Sequence, residues 1–252
     1  MIDAHAHLTD PRLDAHAVVA QFLAEGGRAI VDAGFDAASS LKAYEDSRAF
    51  DTVYFTCGFH PSEAGKENDF SVLEKLACDK KCVAVGEIGL DYHYPGYDPA
   101  RQKELFLFQL KIAREKGLPI VVHSRDCSGD MADLLSANAD LIKNGFLMHC
   151  YSESAEQAKI YAALGGYFSF GGVTTFKNAK KDEIIRSIPF DRLLLETDSP
   201  YLAPEPLRGS LNRPSYVSFV YEKIANVRGV TVEKLKKTVE ENFLRLFKKV
   251  SL

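Results

Sequence analysis

The chain alternates short, unbroken apolar runs with longer stretches of helical periodicity. The runs are Ile2–His5, Ala29–Ala33, Val53–Cys57, Val83–Glu87, Ile120–His123, Phe146–His149, Tyr167–Phe170 and Leu193–Glu196. A continuous apolar run is what a parallel strand covered on both faces requires. The first and eighth midpoints lie about 190 residues apart, or about 27 residues per interval, close to the ~30 of a βαβ unit. Between runs, Phe106, Leu110 and Ala113 mark one stripe of a helix, with Leu105, Phe108 and Ile112 widening it. Gly117-Leu118-Pro119 then stops it. Near the end Val232, Leu235, Val239, Phe243 and Leu246 recur at helical spacing behind Thr231, a suitable N-cap.

Eight βα units predict a (β/α)8 TIM barrel whose active site lies at the C-terminal ends of the strands. The alternative is an open doubly wound sheet, which would usually carry a Gly-rich phosphate turn after the first strand. Here that strand runs into His5-Ala6-His7 instead. No low-complexity stretch or Gly/Ser linker divides the chain, and Pro200–Pro214 reads as a long loop after the eighth strand. Residues 1–252 are therefore expected to form a single domain.

Composition narrows the class. The chain is 46% hydrophobic and 26% charged, an ordinary globular balance. Its formal charge of −4 lacks the basic excess typical of nucleic-acid binders, so any polyanion would need local positive charge. No apolar run approaches the ~20 residues of a membrane span. MIDAHAHLTD lacks the basic and apolar regions of a secretory signal. Five scattered cysteines, including a lone Cys78-x-x-x-Cys82 pair, read as reduced thiols. The expectation is a cytoplasmic protein with no membrane association and no obligate protein partner.

The chemistry sits where a barrel would put it. His5 and His7 follow the first run, His60 the third, and His123 and His149 end the fifth and sixth. Glu87 ends the fourth and Asp198 follows the eighth. Only His16 and His93 fall outside this set of histidines. Residues i and i+2 of a strand share a side, so His5 and His7 can face one metal. Any one of these histidines has a bland reading as a hydrogen-bonded rim residue, and Glu87 or Asp198 could be paired with Lys or Arg. Four histidines and two carboxylates converging on one mouth point instead to divalent metal. Imidazole with carboxylate suits Zn²⁺, Mn²⁺, Fe or Ni better than Mg²⁺. Six ligands exceed what one catalytic zinc needs, and two ions about 3.5–4 Å apart would use them. That arrangement implies hydrolysis by an activated water. No G-x-S-x-G elbow competes.

In combination and order, these segments resemble the TatD family of metal-dependent hydrolases, within the amidohydrolase-like barrels. The resemblance rests on DAHAHL (residues 3–8), GFHP (58–61), GEIGLDYH (86–93), VVHSRD (121–126), MHCYS (148–152), LLLETDSPYLAP (193–204), RGSLNRPSY (208–216) and ENFLRLF (241–247). It implies a deoxyribonuclease with two divalent ions, Zn, Mn or Mg, acting on DNA. His5, His7 and Asp198 would hold one ion, His123 and His149 the second, and Glu87 would bridge. Asp198 would also accept the proton of the attacking water, so Asp198 and Glu87 are the catalytic pair. His60, Arg125, Arg208 and Asn212 are candidate substrate contacts. Their bland readings are a rim histidine, an ion pair with Asp126, and loop structure. Tyr92, Tyr94, Tyr97 and Tyr151 either flank the cleft, where a base would stack, or simply pack.

Two departures stand out. Ala6 replaces the family's frequent Cys and should point away from the metals. RGSLN replaces RGKRN, which removes two positive charges from a loop expected to face substrate. Together with the acidic net charge, this keeps open hydrolysis of a small amide, lactone or phosphoester.

Overall fold

The computed structural model describes residues 1–252. Eight strands, β1 (Ile2–Ala6), β2 (Ala29–Ala33), β3 (Val53–Cys57), β4 (Cys82–Asp91), β5 (Ile120–Arg125), β6 (Phe146–Met148), β7 (Gly166–Phe170) and β8 (Leu193–Leu195), form one parallel sheet in sequence order. Helices alternate with them: α1 (Ala15–Ala24), α2 (Ala37–Ala49), α3 (Phe70–Leu76), α4 (Pro99–Glu115), α5 (Ser128–Ala137), α6 (Ala155–Ala163) and α7 (Asp182–Ser187). Two more, α8 (Val217–Arg228) and α9 (Val232–Leu246), follow β8. This is the expected (β/α)8 barrel, nearly closed. No helix is long and apolar enough to cross a membrane.

The helices start where side chains supply acceptors. Asp14, Asp36, Asp69, Asp98, Ser154 and Thr231 each accept a main-chain N–H of the first turn. The apolar stripes of α4 and α9 are buried as the periodicity predicts, except for Phe108 and the half-buried Val232 at the start of α9. Phe108 lies at the edge of its stripe, is exposed, and packs on Phe70 at the surface.

The strand ends differ from the apolar runs in an informative way. β4 continues four residues past Glu87, because Ile88, Gly89, Leu90 and Asp91 keep pairing with Val122, His123, Ser124 and Arg125 of β5. Gly89 makes this possible: at φ +154° a Cβ there would lie 1.9 Å from the His123 carbonyl oxygen. The register between β4 and β5 shifts by one residue between Val85 and Ile88, so Glu87 sits in a bulge. A similar shift between Asp3 and Ala6 in β1 carries His5. β6 and β8 stop one residue earlier than the runs suggest. Beyond β6, Cys150 turns into the left-handed region at φ +46°.

β8 and β1 meet across the last gap of the barrel. The Asp198 N–H donates to His5 O at 2.9 Å, and the His7 N–H to Ser199 O at 2.7 Å. Asp3 accepts from the Thr197 main chain at 2.9 Å and from its hydroxyl at 2.6 Å. Burial pushes the Asp3 carboxyl well above its usual range, although both Thr197 bonds act to lower it.

Candidate metal centre

The C-terminal strand ends bring six expected ligands into one cluster. His5 Nε2 and His7 Nε2 lie 3.3 Å apart. Oε2 of Glu87 is 3.5 and 3.7 Å from these two nitrogens. Asp198 Oδ1 faces the same pair at 3.8 and 3.4 Å. The other Glu87 oxygen, Oε1, is 2.7 Å from His123 Nδ1 and 2.8 Å from His149 Nε2. Those two nitrogens are themselves 3.3 Å apart. Glu87 thus presents one carboxylate oxygen to each histidine pair.

Neighbouring groups decide which nitrogen faces inward. His7 Nδ1–H donates to the Ala33 carbonyl at 3.0 Å, which leaves Nε2 with a lone pair toward the cluster when the ring is neutral. His123 Nε2–H donates to Asp91 Oδ2 at 3.2 Å, which frees its Nδ1. Behind His149, Glu196 is fully buried, accepts from Ser169 Oγ and the Cys150 N–H, and lies 3.7 Å from His149 Nδ1. Asp198 holds a left-handed backbone at φ +55°, a conformation Asp tolerates better than most residues.

This donor set fits divalent ions. Four inward imidazole nitrogens and two carboxylates, nearly all buried, are electrostatically complementary to cations and to little else. Without a cation, protons take that role. Burial acts to lower the His7 ring, but Asp198 and Glu87 raise it to about 9. Burial acts in the same sense on His149 and His123, and again facing carboxylates push both up. His5, with no carboxylate hydrogen bond of that strength, is held down by burial and by His149. Glu87 and Asp198 are raised by burial but held below the usual carboxylate range by the imidazoles around them.

His60 also faces the cluster, 3.8 Å from Glu87 Oε1. Its Nδ1 accepts the Ser62 N–H at 3.1 Å, so the proton of the neutral ring sits on Nε2. Burial lowers its pKa to about 4, which keeps it a neutral N–H donor near pH 7. Arg125 lines the mouth and lies over the Tyr94 ring at 5.3 Å, without the ion pair to Asp126. Asp126 instead bonds to His93.

Arg208 and Asn212 are placed otherwise. Arg208 is exposed over the Phe176 ring and lines neither cavity at the mouth. Asn212 is fully buried and donates its amide to the Thr197 and Tyr201 carbonyls, so it ties the loop after β8 together. The loop position that suggested substrate contact is, for Asn212, a structural tie. Tyr94 and Tyr151 do border the cavities, whereas Tyr92 and Tyr97 stack on each other. Ala6 is fully buried in the barrel packing. Asp91 and Glu196 were not singled out from the sequence. Asp91 lies inside GEIGLDYH and Glu196 inside LLLETDSPYLAP, but the placement of each behind a candidate ligand histidine appears only in the structure.

The chain matches the family described as TatD related DNase over residues 2–248. It is 40% identical to the uncharacterized metal-dependent hydrolase YabD of Bacillus subtilis, an alignment that spans 98% of this chain and 99% of that protein. It is 31% identical to the 3'-5' ssDNA/RNA exonuclease TatD of Cronobacter sakazakii, over 99% and 98% of the two chains. The crystal structure of YJJV, a TatD homolog from Escherichia coli k12, shares the fold with a TM-score of 0.90 at 28% identity, covering 98% of each chain.

Proposed function

The chain belongs to the TatD family of metal-dependent hydrolases, and from that premise we propose that it cleaves DNA phosphodiester bonds at the mouth of the barrel. One observation carries the reading: Glu87 turns one oxygen to His5 and His7 and the other to His123 and His149. In this reading His5, His7, Asp198 and Glu87 would hold one divalent ion, and His123, His149 and Glu87 would hold the second. Such ions supply a water of lowered pKa and neutralise charge on the attacked group. Asp198, opposite Glu87 and held ionised by His7, accepts the proton from the attacking water. His60, neutral with Nε2–H inward, donates to a phosphoryl oxygen. Arg125 meets the charge of the strand at the rim.

The test is to strip metal with a chelator, restore Mn²⁺, Mg²⁺ or Zn²⁺, and incubate with end-labelled single- and double-stranded oligonucleotides. Metal-restored cleavage is the expected outcome. No cleavage under any of the three metals overturns the DNA reading.

A second reading, hydrolysis of a small amide, lactone or phosphoester, is favoured by Arg208 lying off the cavities. Salt separates the two: binding of a polyanion weakens steeply as salt rises, whereas turnover of a small neutral substrate does not.

A further inference from the structure

Two cavities meet at the cluster and share His123, Arg125, His149, Asp198 and Leu202. The more open one lies on the side of Phe35, Tyr94 and Tyr201. The other, of about 320 Å³, extends under the ends of β5 to β8. Its lining combines apolar Phe170, Val173 and Leu202 with two cations, Arg125 and Lys181. Asp198 is the single carboxylate there.

Lys181 precedes α7 and is half-buried. Its ammonium donates to the Ser152 carbonyl at 2.6 Å, which anchors it to the wall and leaves two N–H donors. Burial lowers its pKa, and no carboxylate forms an ion pair with it or with Arg125. The remaining donors face the cavity that Lys181 lines. The neighbouring Cys150 also lines this cavity.

We propose that this cavity is the subsite for the nucleotide next to the scissile bond. Its base and sugar lie on the Phe170, Val173 and Leu202 wall, and its phosphate is held by Lys181 together with Arg125. The proposal rests on the DNA reading above and makes Lys181 a specificity-determining residue. It also supplies the local positive charge that a chain of net charge −4 otherwise lacks.

The test compares wild type, Lys181→Met and Lys181→Arg on a single-stranded oligonucleotide and on bis(p-nitrophenyl) phosphate, a diester with no second phosphate. In Lys181→Met the ratio of oligonucleotide KM to small-diester KM is expected to rise about tenfold, the scale of one lost hydrogen bond to a charged group. The salt slope of oligonucleotide binding should fall by about 1, and Lys181→Arg should restore most of both. An unchanged ratio and slope in an enzyme that cleaves DNA overturns the subsite while the DNA reading stands. If wild type hydrolyses only the small diester, the DNA reading fails by itself. Calorimetric titration with thymidine monophosphate then tests the cavity directly. Weaker binding by Lys181→Met than by wild type supports it, and equal binding overturns it.

Discussion

The two histidine pairs that face Glu87 are built differently. His5 lies in the bulged β1 and His7 one residue beyond its end, and both are enclosed between Ala33, Asp198 and the barrel seam. His123 lies in β5 and His149 just past the end of β6; both line the two cavities and are backed by carboxylates, Asp91 and Glu196. The first pair is specified by local spacing. The second is specified by tertiary neighbours that hold each ring in turn. All four histidines stand out at the ends of apolar runs in the sequence, whereas the carboxylates behind the second pair, Asp91 and Glu196, reveal their role only when the strands are side by side.

The largest test of this comparison removes what the halves share. Glu87→Gln keeps the shape but removes the charge and turns one of the two carboxylate oxygens into an NH2 donor, and activity should fall by roughly 10³-fold or more. Elemental analysis of the purified variant should show loss at both halves; a variant that keeps full activity breaks the shared role of Glu87. Next, Asp91→Asn should act on the outer half alone. Loss of the carboxylate behind His123 is expected to weaken one metal-binding phase by about 10–100-fold and spare the other. Equal weakening of both phases in a calorimetric metal titration would show that the halves are not independent.

The pH dependence sharpens the contrast further. His7 in the metal-free protein has its pKa raised to about 9, against the ordinary imidazole value near 6.5. Its proton therefore stabilises the metal-free fold fully below about 6.5, and that contribution is lost as pH rises through about 9. Glu87 and Asp198, held low, contribute above the carboxylate range and lose that contribution as pH falls through their lowered values. A metal ion must displace the His7 proton, so apparent affinity at that half should rise about tenfold per pH unit up to about pH 9. Scanning calorimetry of stripped and metal-loaded protein at pH 6 and 8.5 should show a Tm difference that widens at the higher pH. A constant difference removes His7 protonation as the competitor.

Much of this was legible in the sequence for physical reasons. Parallel strands covered on both faces leave unbroken apolar runs, so all eight were located, β2 and β3 to the residue. Strand ends were less exact where a glycine allows close pairing, as Gly89 does, or where a left-handed residue stops it, as Cys150 does. The members of the cluster are legible because imidazoles and carboxylates recur at the ends of apolar runs, where the barrel brings them together. Asp91 and Glu196 act on rings more than 30 residues distant in the chain, and no periodicity encodes that. Asn212 shows the converse limit. A loop asparagine reads the same whether its amide meets a ligand or, as here, the Thr197 and Tyr201 carbonyls.

The seam between β8 and β1 has a consequence for biosynthesis. Asp3 and Thr197 bond across 194 positions of sequence, and Asp198 is pinned to His5 by the same contacts. The half-site of His5 and His7 is thus translated first and completed among the last, a high-contact-order closure. A nascent chain that ends between residues 150 and 196 carries all seven histidines yet has neither the closed seam nor the Asp198 carboxylate. On the proposed reading, a chain cut short of this closure lacks the carboxylate assigned to the attacking water, so its loss of activity would follow from topology alone.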